Sequence, residues 1–194
     1  MIKIGITGGI GSGKSTVCRI FESMGIPVFY ADTVAKLIML TDPVLVAGVT
    51  QAFGQESYVE GQLNNKHIAS IVFNNSEELA KLNALVHPAV FRAFERWLEN
   101  VPLGTPYILK EAALLFESGS YRMCDKSVLV TAPEDLKIKR VMERDNVTAA
   151  QVKARMDKQM SDSDKMLMAD HLISNDESQS VISQVYQLHL EFLK

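Results

Sequence analysis

The chain has 194 residues, 47% of them hydrophobic and 22% charged, with a formal net charge of −3 and two cysteines. That is the composition of a globular protein with one core and room for an inserted subdomain. The acidic balance argues against non-specific nucleic-acid binding, and Cys18 and Cys124 are too few for a disulfide framework and lack zinc-ligand spacing. No stretch approaches about 18 uncharged apolar residues, so no membrane partner and a cytoplasmic location are expected.

Residues 2–7 form a β-branched run bounded by glycines, the pattern of a buried strand. After a Gly-rich interruption, Val17, Ile20, Phe21 and Met24 recur at helical spacing from Lys14 onward, and Gly25 with Pro27 ends the helix. Residues 27–30 read as a second strand, and Asp32 follows its carboxyl end, the end that faces ligands in open α/β sheets. Between about 33 and 102 no strand is expected. Val34, Leu37 and Ile38, then Leu79, Leu82, Leu85 and Val86, make this an inserted helical block. Pro88 lacks an N–H and is expected to break or kink it, leaving His87 at a corner before a further helix through Phe91, Phe94, Trp97 and Leu98. Strands return at 107–112 and 127–131, Pro133 opens a helix over 136–142, and residues 172–174 form a last short strand. Val181, Val185, Leu188 and Phe192 mark a closing amphipathic helix. The order predicts an α/β core of residues 1–32 and 103–194 around a helical insertion of residues 33–102.

The strongest chemical signal is Gly8-Gly9-Ile10-Gly11-Ser12-Gly13-Lys14-Ser15, which fits G-x-x-x-x-G-K-[ST] between a strand and a helix. Glycines let successive N–H groups turn inward around phosphate oxygens, and the helix start adds its positive dipole end. Lys14 is expected to reach the β- and γ-phosphates and the Ser15 hydroxyl to ligate Mg²⁺, with Thr16 completing the nucleotide contacts. A guanine-reading N-K-x-D is missing, since Asn65-Lys66-His67 is followed by Ile68. Taken by position, Asp32 is either a general base for a hydroxyl nucleophile or the N-cap of a helix near Val34. Glu111, ending the strand at 107–112, either holds a magnesium-bound water or is a plain strand-end carboxylate. Arg140 lies on a helix where its guanidinium could meet phosphoryl charge. The other basic residues between 137 and 165, including Arg144, Lys153 and Arg155, read mainly as a solvated helix face.

Thr7 to Ser15, Ala31-Asp32, Leu85-Val86-His87-Pro88, Leu114-Leu115-Phe116-Glu117, then Arg140, Arg144-Asp145 and Gln159 follow one another over nearly the whole chain. Together they resemble the dephospho-CoA kinase family. The resemblance implies a P-loop kinase fold, a three-layer α/β arrangement of parallel sheet and flanking helices with an inserted acceptor-binding region and a lid at about 136–166. It implies ATP-dependent phosphorylation of the ribose 3′-hydroxyl of dephospho-CoA, with Mg²⁺, giving coenzyme A and ADP. It also favours the catalytic reading of Asp32, sets Arg140 at the transferring phosphoryl group, His87, Phe116 and Glu117 at the acceptor and Asn175 at the adenine. Ala113 stands where the family has proline, Arg92 lies one residue beyond the usual arginine, and no glycine follows Asn175 within two residues. Another nucleoside or nucleotide kinase is the nearest alternative, and a non-catalytic nucleotide-binding regulator is the alternative from a different class.

Overall fold

The computed structural model describes residues 1–73 and 75–194. In chain order its elements are β1 (Ile2–Thr7), α1 (Lys14–Ser23), β2 (Val28–Tyr30), α2 (Ala31–Thr41), α3 (Pro43–Phe53), β3 (Tyr58–Val59), β4 (Gln62–Leu63), α4 (Asn65–Val72) and α5 (Ser76–Glu99). They continue with β5 (Tyr107–Glu111), β6 (Lys126–Thr131), α6 (Glu134–Asp145), α7 (Ala149–Met156), α8 (Asp162–Met168), β7 (His171–Ser174) and α9 (Val181–Phe192). The chain divides into two compact units, Met1–Tyr30 with Val101–Lys194, and Ala31–Asn100.

The first unit is built on a five-stranded parallel sheet in the order β2-β5-β1-β6-β7, flanked by helices. Its three central strands are apolar runs because a parallel sheet is covered on both faces. Ile4 and Ile6 of β1, Tyr107 and Leu109 of β5, and Val128 and Val130 of β6 alternate onto one face, where Val17 and Phe21 of α1 and Val185 and Phe192 of α9 cover them. Each such fully buried side chain contributes about 1.5–3 kcal/mol. Tyr107 packs edge-on against both Phe21 and Phe192, and its buried hydroxyl finds His189 Nδ1 at 2.6 Å. On the opposite face a side chain at Gly5 would press into Leu115 and Cys124, so the loop after β5 covers the sheet there.

The second unit is helical, as the periodicity predicts, with two differences. A two-residue hairpin, β3 and β4, lies where no strand is expected; Glu60 and Gly61 both take positive φ, at 51° and 75°, as a tight hairpin turn requires. Tyr58 donates its hydroxyl to Met39 O at 2.8 Å, fastening the hairpin to α2. The second difference is that Pro88 does not end a helix. α5 runs unbroken through it, so His87 is mid-helix and half-buried rather than at a corner. An interior proline costs about 3 kcal/mol. Packing outweighs that cost, because Leu82, Leu85 and Val86 before Pro88 and Ala89 after it all join a cluster with Leu45, Val49, Phe53 and Ile68. Burial also lowers the His87 pKa, opposing its protonation. No single helix among the described residues is long and apolar enough to cross a membrane.

Asp170 anchors the edge strand β7. Its Oδ2 accepts from both N and Oγ of Ser127 at 2.8 Å, while its own N–H donates to Ser127 Oγ at 3.2 Å. The Ser127 hydroxyl and then its N–H hold the Asp170 carboxyl below its ordinary value of 3.8. A depressed carboxyl stabilises the fold above its unfolded value and loses that contribution as the pH falls through the folded one. Asp170→Ala is therefore expected to cost about 1–2 kcal/mol at pH 7, discounted for partial exposure. In denaturant titrations the gap from wild type should narrow as the pH drops below 3.8.

Candidate active site

The loop between β1 and α1 lies at the carboxyl edge of the sheet. A Cβ at Gly8 would collide with the Val130 carbonyl and come within 2.6 Å of Ser12 Oγ, so only glycine fits. Gly13 precedes α1 at φ 98°, a left-handed conformation, and a side chain there would run into Asn175 Nδ2. The loop tightens on itself through Ser12 N–H to Gly9 O at 3.1 Å, and α1 begins with the Thr16 and Val17 N–H groups on Gly13 O. No acidic residue sits in the first turn of α1, which leaves its positive end to an anion. Lys14 is buried along the loop and donates to Gly8 O at 2.9 Å and Gly9 O at 3.4 Å. The Ser12 hydroxyl is buried inside the loop with no hydrogen-bond partner among the described residues. Ser15 and Thr16 are exposed at the helix start.

Asn175, just beyond β7, is fastened by its N–H to Thr131 O at 2.8 Å and donates Nδ2 to Ser12 O at 2.9 Å. Arg140 of α6 donates through both terminal nitrogens to Asn175 O at 3.3 Å and pairs with the exposed Glu177 at 3.5 Å. Arg140 and Arg144 line, with Gly11, Gly13, Lys14 and Ser15, a cavity of about 160 Å³. The loop, Lys14, Ser15, Arg140 and Asn175 are thus brought together in one unit. Glu111 ends β5 in register with Ile6 and Tyr30 and is buried. Burial and then the Glu111 and Glu22 carboxylates hold the Cys18 thiol well above its ordinary value. Among the described residues there is no group of three or more His, Cys, Asp and Glu that could hold a metal ion.

Asp32 and His87 belong to the helical unit. α2 starts at Ala31, so Asp32 stands in the first turn of the helix and not at its N-cap. Phe116 is buried with its ring 5.7 Å from that of Tyr121. Glu117 Oε1 accepts from Lys165 Nζ and from Met160 N–H, both at 3.0 Å, so this residue fastens the segment before and within α8.

Two of the basic residues between 137 and 165 are not solvated. Lys165 is 0% exposed, on Glu117 and on Ala113 O at 3.1 Å. Lys137 is 7% exposed and pairs with Asp162 at 2.7 Å. Gln159 Oε1 accepts from Ile10 N–H at 3.0 Å, bringing the stretch between α7 and α8 onto the glycine-rich loop. None of these pairings is local: charge density marks the lysines in the sequence and the resemblance marks Glu117 and Gln159, but neither signal gives their partners. Lys165→Met should remove a buried partner of Glu117 and cost about 2–4 kcal/mol, read as a lower urea midpoint, whereas Asp162→Ala should not disturb that anchor.

A sequence model of the dephospho-CoA kinase family matches residues 2–180. A dephospho-CoA kinase of Salinibacter ruber is 43% identical over 178 residues, covering 91% of this chain and 89% of that protein. One from Bacteroides fragilis is 38% identical over 187 residues, covering 96% and 91%. A solved structure from Thermus thermophilus superposes with a TM-score of 0.88 at 34% identity, covering 100% of this chain and 98% of the other. The structure of a dephospho-CoA kinase from Campylobacter jejuni gives 0.69 at 27% identity, covering 97% and 95%. With a Gly-rich loop closed on Lys14 between β1 and α1, and relatives matched over nearly their whole length, this chain belongs to the dephospho-CoA kinase family.

Proposed function

We propose that the chain transfers the γ-phosphoryl group of ATP to the ribose 3′-hydroxyl of dephospho-CoA, releasing coenzyme A and ADP. The observation that carries this reading is the loop itself, in which glycines at 8 and 13, the buried Lys14 and an acid-free helix start converge on one anion-sized space in a member of this family. The N–H groups of Gly11, Gly13 and Ser15 and the Lys14 ammonium bind the phosphate chain, and Arg140, braced by Asn175, adds charge from the Gly13 side. Asn175 holds the adenine end. Asp32 accepts the proton of the attacking 3′-hydroxyl as the new O–P bond forms and the bond to the ADP oxygen breaks. His87, Phe116 and Glu117 serve the acceptor. Ser15 and Glu111 are the residues that would hold Mg²⁺, which would supply neutralising charge to the β- and γ-phosphates. The helical unit, 31–100, binds the acceptor, and residues 136–166 act as a lid. Two free cysteines fit a reducing, cytoplasmic setting.

The decisive assay offers ATP with dephospho-CoA, adenosine and nucleoside monophosphates in parallel. Phosphorylation of dephospho-CoA alone supports the reading; preference for a nucleoside monophosphate hands the chain to the nucleotide kinases, and ATP binding without transfer makes it a regulator. Lys14→Ala should lower kcat/KM by several orders of magnitude while the far-ultraviolet circular dichroism is unchanged, because the lost charge meets the β- and γ-phosphates.

Asp32→Asn separates chemistry from helix support. Loss of general-base action predicts a fall of about 10²–10⁴-fold in kcat with nearly unaltered ATP binding. An unchanged kcat with a lower melting temperature would instead assign Asp32 to stabilising the first turn of α2.

A further inference from the structure

Helix α6 presents two partly or wholly buried cations to the phosphate-binding loop, and they face different ends of it. Arg140 is engaged by Asn175, beside Gly13. Lys137, three residues earlier and so on the same face, lies at Gly9: a Cβ built on Gly9 would sit 3.4 Å from Lys137 Nζ and 3.1 Å from Asp162 Oδ1. The Lys14 ammonium marks the same end, since it donates to the Gly8 and Gly9 carbonyls. An open cavity of about 480 Å³ adjoins this point, lined by Gly9, Lys137, Gln159 and Asp162 and also by the carboxylates Glu134 and Asp157.

A carboxylate at that place is an obstacle to a triphosphate. Asp162 carries negative charge to the loop residue next to which Lys14 is aimed, and Gln159 Oε1 occupies the Ile10 N–H that a phosphate oxygen would otherwise accept. A phosphate arriving there meets an ammonium whose present partner is one carboxylate, plus a backbone donor whose present partner is one amide oxygen. Both contacts are exchangeable for phosphate oxygens, with the charge pairing strengthened, because a phosphate carries more charge than a carboxylate. We infer that Lys137 binds the terminal phosphates of the nucleotide and that Asp162 holds it in reserve until they arrive. Asp162 then turns outward with the 157–163 stretch. The inference rests on the kinase reading, in which this loop receives ATP.

The test is calorimetric titration of the full chain with ATP and with ADP, for wild type, Lys137→Met, Lys137→Arg and Asp162→Asn, beside a turnover assay. Lys137→Met is expected to weaken ATP binding by about tenfold or more and ADP binding by less than about threefold, with Lys137→Arg recovering most of the loss. Asp162→Asn removes the competitor and is expected to bind ATP as tightly as wild type or tighter. Wild-type ATP affinity in Lys137→Met, or equal losses for ATP and ADP, would overturn the assignment while leaving an active wild type a kinase. An ATP loss in Asp162→Asn matching that of Lys137→Met would make the pair a structural clasp and overturn it as well. If Lys137→Met fails to fold, the Asp162→Asn titration decides by itself, tighter or equal binding supporting the assignment and weaker binding rejecting it. A wild type that binds no ATP would take down both this inference and the kinase reading.

Discussion

No side chain fits at Gly8, because the loop leaves β1 hard against the main-chain carbonyl of Val130. That approach is set by the register of the sheet, in which Thr7 pairs with Leu129 and Thr131 with Ser174. Three neighbouring strand ends therefore deliver Gly8, Thr131 and Asn175 to one place, and Asn175 closes the group by donating to Ser12 O. The register is itself held by the alternation of Ile4, Ile6, Val128 and Val130 under α1 and α9; a one-residue slip would turn that whole apolar set to the other face. The glycine-rich loop is in this sense a product of the core. Its glycines leave the room, and the strands decide where the room is.

What the chain discloses before folding follows from the range of each interaction. The β-branched runs at β1, β5 and β6 and the loop motif are local patterns, and each stands where its pattern puts it. Pro88 shows the limit of a local rule: its cost is fixed by the missing N–H, but its outcome by Leu82, Leu85 and Val86 meeting α3 and α4, which only the folded unit reveals. The β3–β4 hairpin is illegible for another reason, since two residues per strand carry no periodicity and Glu60-Gly61 is a weaker turn signal than Asn-Gly. In the sequence Lys137 and Lys165 look like surface charge for want of nearby partners. Asp162 and Glu117 lie 25 and 48 positions from them, and no helical or strand period connects such distances.

The two buried lysines have different consequences although both sit on carboxylates. Lys165 is fully enclosed and shares itself between Glu117 and the Ala113 carbonyl, so removing either partner strands a charge out of water. The Lys137–Asp162 pair instead borders the cavity beside Gly9, with the lysine side chain 9% exposed and the aspartate 24%. Folding has already met the cost of desolvating the ammonium, because the carboxylate compensates it. When phosphate takes the place of Asp162, the step is an exchange of anions around a cation that stays where it is, and the group that must regain water is already partly exposed. Asp162 is also the first residue of α8, capped by Ser161 and preceded by a non-helical stretch, so its departure need not unwind a helix interior. A chain of net charge −3 thus keeps Lys137 beside the glycine-rich loop through a carboxylate that borders a cavity, while Lys165 is enclosed on Glu117.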